Sequence, residues 1–246
     1  MGKPRMEKHT EKCADKLKKN YIPEKASLLY CPHILNNPVY EYCLAHNLEF
    51  RPQMYYMTYD FETMEQVINE AITKSTTINS RLVPLSVSCC IKSSFGLTTK
   101  HFDARDKEFI AKWIDFMFEQ SKIIVEDKIK FYHDMLKIEN IEEIVKDINI
   151  VTVFGFNSSR FDSNLFKEYF NYSHWRVNNN SLIGTASSLK QFILQSRTTK
   201  TQLRFIDAQS FVAGGTLKQF GKDFGGVDNS NKGVFPYEAI NSNNFN

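Results

Sequence analysis

Apolar and polar positions fall into blocks with different periods along this chain. Residues 1 to 50 mix basic residues, prolines, cysteines and histidines with little periodicity, and read as an extension or linker. From Met54 the pattern tightens. Met54 to Asp60 is rich in Tyr and Met and predicts a strand, and Glu65 to Thr73 predicts a short helix or amphipathic turn. Arg81 to Lys92, RLVPLSVSCCIK, predicts a second strand in which Pro84 marks an edge or a bulge. Between Lys107 and about Lys137, Phe109, Ile110, Trp113, Ile114, Phe116, Met117 and Phe118 form a broad apolar stripe among charges, which predicts a long helix.

The second half alternates shorter pieces. Asn149 to Phe156, NIVTVFGF, predicts a central strand, followed by polar punctuation at 157 to 160 and a helix over Phe161 to Tyr169. Leu182 to Ser196 reads as a hairpin or as a strand with a helix. Gln202 to Asp207 reads as another strand, and Thr216 to Phe224 as a short helix. The closing NSNNFN is polar and predicts a frayed end. Strands alternating with helices place the domain in the α/β or α+β layered class.

Composition narrows the class further. At 246 residues, 42% hydrophobic and 24% charged, the chain has enough apolar residues for one sizeable core. A net charge of +3 is too small to announce a nucleic-acid partner, so any such contact requires a local basic groove. No apolar run is long enough to cross a bilayer and the N-terminus has no hydrophobic signal core, which points to an intracellular protein without membrane contact. Five cysteines in no regular framework suit a reducing compartment.

Two features carry chemistry. In MTYDFETM, residues 57 to 64, Asp60 and Glu62 share one face of a strand because side chains alternate, while Phe61 turns into the core. Neighbouring carboxylates in a partly apolar site must share a proton or meet a cation, and hard oxygen ligands suit magnesium or manganese. The alternative is a strand end with solvated acids. In FNSSRFD, residues 156 to 162, a strand gives way to a helix whose first turn carries Asp162, projecting back toward the strand ends, where sites form in open sheets. An acid there also complements a helix dipole. Asn157 could simply cap that helix and Phe161 fill the core.

In this order, DFET and Asn-x-x-x-Phe-Asp resemble the first and second exonuclease motifs of the B-family DNA polymerases. TLKQF, residues 216 to 220, resembles a third motif of that domain, Ser/Thr-Leu-x-x-hydrophobic. The context SFVAGGTLKQFGKDFGG followed by KGVFPYE is similar to the protein-primed branch, the type found in linear plasmids, organelles and viruses. The resemblance covers roughly residues 54 to 240. It implies an RNase-H-like 3′–5′ exonuclease domain, a mixed sheet flanked by helices, over residues 51 to 246. It further implies a two-metal Mg²⁺ or Mn²⁺ site on Asp60, Glu62 and Asp162, and contacts of Thr63, Asn157, Phe161, Thr216 and Leu217 with a single-stranded 3′ end. A terminal protein primer is the implied partner, and a mitochondrial, plasmid or viral replication compartment the implied location.

The bland readings of the third motif are a turn at Gly214 and Gly215 and an N-cap at Thr216. The family's Tyr-x-x-x-Asp motif, which supplies a fourth carboxylate, is expected beyond KGVFPYE, where the given sequence stops, and there is no trace of the polymerase palm; Asp207, Asp223 and Asp228 match no family motif. The chain is therefore expected to be an exonuclease portion truncated at its C-terminal end, binding metal poorly and hydrolysing DNA weakly or not at all. A stand-alone exonuclease and a non-catalytic DNA-binding remnant are the rival expectations. Separately, His9, Cys13, Cys31, His33, Cys43 and His46 form a candidate zinc set, with the His-x3-Cys spacing of a finger's second half in HTEKC. Unlinked surface residues are the alternative.

Overall fold

Alternation of buried and open positions begins at Tyr56 and builds strand β1, Tyr56–Thr73, which is longer than its pattern predicts. The computed structural model describes residues 37–73, 75–135, 142–212 and 215–225, all within the compact unit that starts at Leu35. β1 pairs antiparallel with β2, Thr76–Ser93, over nearly its whole length. The segment Glu65–Thr73, expected to be helical, is strand. Its partners Glu65↔Leu82, Gln66↔Arg81, Val67↔Ser80, Glu70↔Ile78 and Thr73↔Thr76 form a ladder. Ser80 Oγ donates to Glu65, and Arg81 Nε donates to Gln66 Oε1 at 3.0 Å. Cross-strand pairing with the β-branched residues of β2 thus overrides helix propensity, as tertiary context commonly does.

This ribbon outruns the core. Val67, Ile72 and Leu82 are more than half exposed along it. A bulge interrupts the register between Glu62 and Thr63, opposite Ser86 and Pro84, which leaves Leu85 as the extra residue on β2. Pro84 lacks an N–H and is tolerated at such an irregularity, as the sequence indicated.

The remaining strands are β3 (Gly96–Asp103), β4 (Ile150–Gly155), β5 (Trp175–Val177), β6 (Ile183–Thr185), β7 (Ser188–Ser196) and β8 (Gln202–Asp207). They form one mixed sheet of order β3-β2-β1-β4-β8-β7-β5, with β6 on β7. β1, β4 and β8 are parallel neighbours, and the other pairs are antiparallel. Helices α1 (Pro38–Ala45), α2 (Phe109–Phe131), α3 (Glu142–Ile148), α4 (Asp162–Leu165) and α5 (Leu217–Phe224) complete an α/β fold. α1 lies within the segment read as an extension, yet its Val39 and Cys43 are in the core, so the packed body begins before residue 51. The helix expected over Phe161 to Tyr169 is shorter: α4 ends at Leu165 and a 3-10 turn follows over Lys167–Tyr169.

α2 lays its predicted stripe on one face of the sheet, with Phe109, Ile110, Trp113, Ile114 and Met117 all buried. The contact is mainly aromatic. Trp113 packs on Tyr59 at 5.4 Å and on Phe166 at 5.1 Å, and Phe192 stacks on Phe205 at 4.7 Å. Two buried charges tie the layers together. Asp127 of α2 accepts from Ser94 N and Oγ at 2.9 and 2.7 Å, pinning the β2–β3 turn. Lys128 Nζ donates to Ile150 O at 2.6 Å and to Asp147 O at 3.3 Å where β4 starts, and burial pushes its pKa down to about 8. No helix of the described residues is long and apolar enough to cross a membrane.

Phe166 touches Phe61, Trp113 and Phe205 and has no exposed surface. Phe166→Ala is expected to cost about 3–5 kcal/mol of unfolding free energy, read from denaturant titration.

Candidate functional site

Parallel β1, β4 and β8 carry their carboxyl ends to the same edge of the sheet, the place where open α/β sheets form sites. β1 continues where β4 stops. Their ladder consists of Met57↔Val153 and Thr58↔Phe154, and β4 ends at Gly155. On that side the Phe61 N–H donates instead to Asp162 Oδ1, at 3.1 Å.

The loop between β4 and α4 is shaped for this contact. A Cβ on Gly155 would lie 2.5 Å from Ser158 Cβ and 2.9 Å from Tyr59 Cε1, so only glycine lets the chain turn this closely. Asn157 takes a left-handed φ of 57°, a conformation Asn tolerates better than most residues. Asp162 then opens α4, and Phe166 anchors the chain just beyond it in the aromatic core.

Asp162 is 3% exposed, and its carboxyl is pushed up to about 7. Burial is the main cause and the charges of Asp60 and Asp207 add to it, while the Phe61 N–H pulls the other way. Asp60 is exposed and Glu62 half-buried on one face of β1, opposite the buried Tyr59 and Phe61, as strand alternation requires. The bulge falls directly after Glu62.

Beside Asp60 opens a cleft of about 480 Å³ with a mostly aromatic lining that includes Tyr56, Phe154, Phe156, Phe211, Leu217 and Phe220. α5 supplies two of these. Phe220 sits 5.5 Å from Phe156, and Thr216 caps the helix by accepting from Gln219 N at 3.2 Å. On the other side of Asp60 a groove of about 450 Å³ crosses β1, β2 and β3 past Ser88, Cys90, Thr99 and His101. Ser88 Oγ lies 3.0 Å from His101 Nδ1 there.

The residues singled out in the sequence are brought together unevenly. Asp60 and Asp162 are near enough for the charge of one to raise the other, and Leu217 faces the same cleft as Asp60. Thr216 is exposed and acts as a cap. Thr63 is buried, Phe161 half-buried and Asn157 exposed. Asp207 matches no family motif and is absent from the motif-derived site. The structure buries it at the carboxyl end of β8, close enough to Asp162 for its charge to matter. The available signal was an acid closing the apolar run QLRFID, at the same strand end that carries the other acids.

Among the described residues no group of three or more His, Cys, Asp or Glu side chains is placed to hold a metal ion. Oxygen donors crowded with like charge nevertheless fit Mg²⁺ or Mn²⁺, because magnesium commonly binds through one or two carboxylates together with substrate phosphates and water. Of the zinc set, His9, Cys13, Cys31 and His33 lie outside the described residues. Cys43 is buried with its thiol pKa raised by that burial, and His46 packs on Tyr42 at 4.2 Å.

Comparison of the chain with protein-family models, with curated proteins and with solved structures finds no match.

A carboxyl whose folded pKa is raised binds its proton more tightly in the native state. Its contribution to stability is therefore full below the unfolded pKa and is lost as pH rises through about 7. Between about pH 4 and 7 this one group is expected to lower the unfolding free energy by up to about 1.4 kcal/mol per pH unit. Denaturant unfolding in chelator, for wild type against Asp162→Asn, should show a difference that grows in favour of Asn as pH rises.

Proposed function

We propose that the chain is a 3′–5′ exonuclease domain of RNase-H-like type, the proofreading portion of a protein-primed B-family DNA polymerase. The observation that carries this reading is the bond from the Phe61 N–H, between Asp60 and Glu62 of DFET, to the buried acid Asp162 of FNSSRFD. The aromatic cleft beside Asp60, reached by Leu217 of TLKQF, supports it. So does a mixed sheet with flanking helices.

In this reading Asp60, Glu62 and Asp162 would hold two Mg²⁺ or Mn²⁺ ions, which when bound supply an activated water and stabilise the departing 3′ oxygen. The protein's own part is positioning. The Phe61 amide holds the Asp162 carboxylate at the edge of β1, and a nearby cation would favour its ionised form, against the burial that now favours the neutral one. Tyr56, Phe154 and Phe211 line the cleft and would grip a terminal base by stacking, a sequence-independent hold suited to an unpaired end. Mismatched ends fray more easily and would enter more often.

A second reading is a DNA-binding module without catalysis, for which the aromatic cleft beside Asp60 would serve equally. One set of measurements separates the two. Calorimetry with Mn²⁺ should show binding that Asp60→Ala and Asp162→Ala each weaken at least about tenfold, about 1.4 kcal/mol. Any Mn²⁺-dependent shortening of a labelled single strand should disappear with it. Mn²⁺ binding indifferent to both variants, with DNA affinity intact, would favour the second reading. Phe211→Ala should weaken single-strand binding about tenfold by anisotropy, within the range of one base–aromatic stack.

A further inference from the structure

Asp207 closes β8 opposite Gly155 of β4 in the parallel register. Leu203 and Phe205, which precede it on the same face, are core residues, and Phe205 pairs with buried Val153 as Val153 pairs with buried Met57. Asp207 therefore projects on the Tyr59 side of the sheet, whereas Asp60 and Glu62 project on the other. It is 3% exposed. A carboxylate buried this far needs hydrogen-bond donors. It has two, both backbone amides: Ser159 N–H donates to Oδ2 and Gln209 N–H to Oδ1, each at 3.0 Å.

The two donors belong to different walls of the candidate site. Ser159 lies in the β4–α4 loop, three residues before Asp162, and is itself buried. Gln209 lies in the 3-10 turn Ala208–Phe211, whose two end residues line the aromatic cleft.

We propose that Asp207 is a positioning residue that clasps the Asp162 loop and the cleft wall through these two amides, holding acid and cleft in one fixed relation to a DNA end. This rests on the exonuclease reading. Its face of the sheet separates Asp207 from Asp60 and Glu62, so it acts through Ser159 on the loop that carries Asp162. Removing it leaves a buried amide without its acceptor, which the loop can satisfy only by reorganising.

The test uses Asp207→Ala and Asp207→Asn in the full chain, with Mn²⁺ calorimetry and amide hydrogen exchange at Ser159 and Gln209. Partners that orient a metal ligand from behind are worth about 10- to 100-fold in affinity or activity. Asp207→Ala is expected to weaken Mn²⁺ binding by that factor and to speed exchange at both amides. Asp207→Asn, which keeps a side-chain carbonyl oxygen, should restore most of both. Unchanged Mn²⁺ affinity in a folded Asp207→Ala would overturn the proposal. Equal loss of Mn²⁺ binding in both variants, with Ser159 still protected in Asn, would overturn it in favour of a direct ligand. If the wild type binds no Mn²⁺, the exonuclease reading fails separately, and exchange then decides the clasp. Faster exchange at Ser159 in Ala with recovery in Asn upholds it, and unchanged exchange refutes it.

Discussion

One hydrogen bond, from the Phe61 amide to the Asp162 carboxylate, joins residues 101 positions apart and fixes the geometry of the candidate site. It exists because β4 ends at Gly155 while β1 runs on, which leaves the Phe61 N–H without a ladder partner on that side. A buried donor in that position must be satisfied, and the chain after β4 returns a carboxylate to do it. The tight turn at Gly155, the left-handed Asn157 and the Phe166 anchor all serve that return. The consequence is electrostatic: the same burial that secures the bond raises the Asp162 carboxyl to about 7.

β1 divides the molecule into two chemistries. Its Tyr59 and Phe61 enter an aromatic core beneath α2, where Trp113, Phe166 and Phe205 hold the strand rigidly. Its Asp60 and Glu62 face the opposite way, between an aromatic cleft and a polar groove. A site built on a rigid central strand is placed more accurately than one built on loops. The loops here contribute through buried amides and anchored rings, so they inherit some of that rigidity.

The elements legible in advance were those whose burial is one-sided and local. The α2 stripe, the β4 run and the β8 run each show their period within a few residues. β3 escaped because it is an exposed edge strand with almost no buried position, so it has no alternation to read. The far half of β1 departs from its helical expectation because its pattern is weak and open to solvent, and pairing with β2 decides it. Thr216 shows how a motif residue can sit at its expected place and yet act locally, as a helix cap.

The sequence by itself determined the α2 stripe, the β4 and β8 strands, the common face of Asp60 and Glu62, and the position of Asp162 at a helix start. Each of these depends on neighbours only a few positions apart along the chain. Tertiary structure alone decided which carboxylates meet. The bond from Phe61 to Asp162, the proximity of Asp207 and the joining of Leu217 to the Asp60 cleft depend on strand order and on where each strand ends. Those are set by packing and by the need to satisfy buried amides, and they leave no periodic trace in the residues concerned.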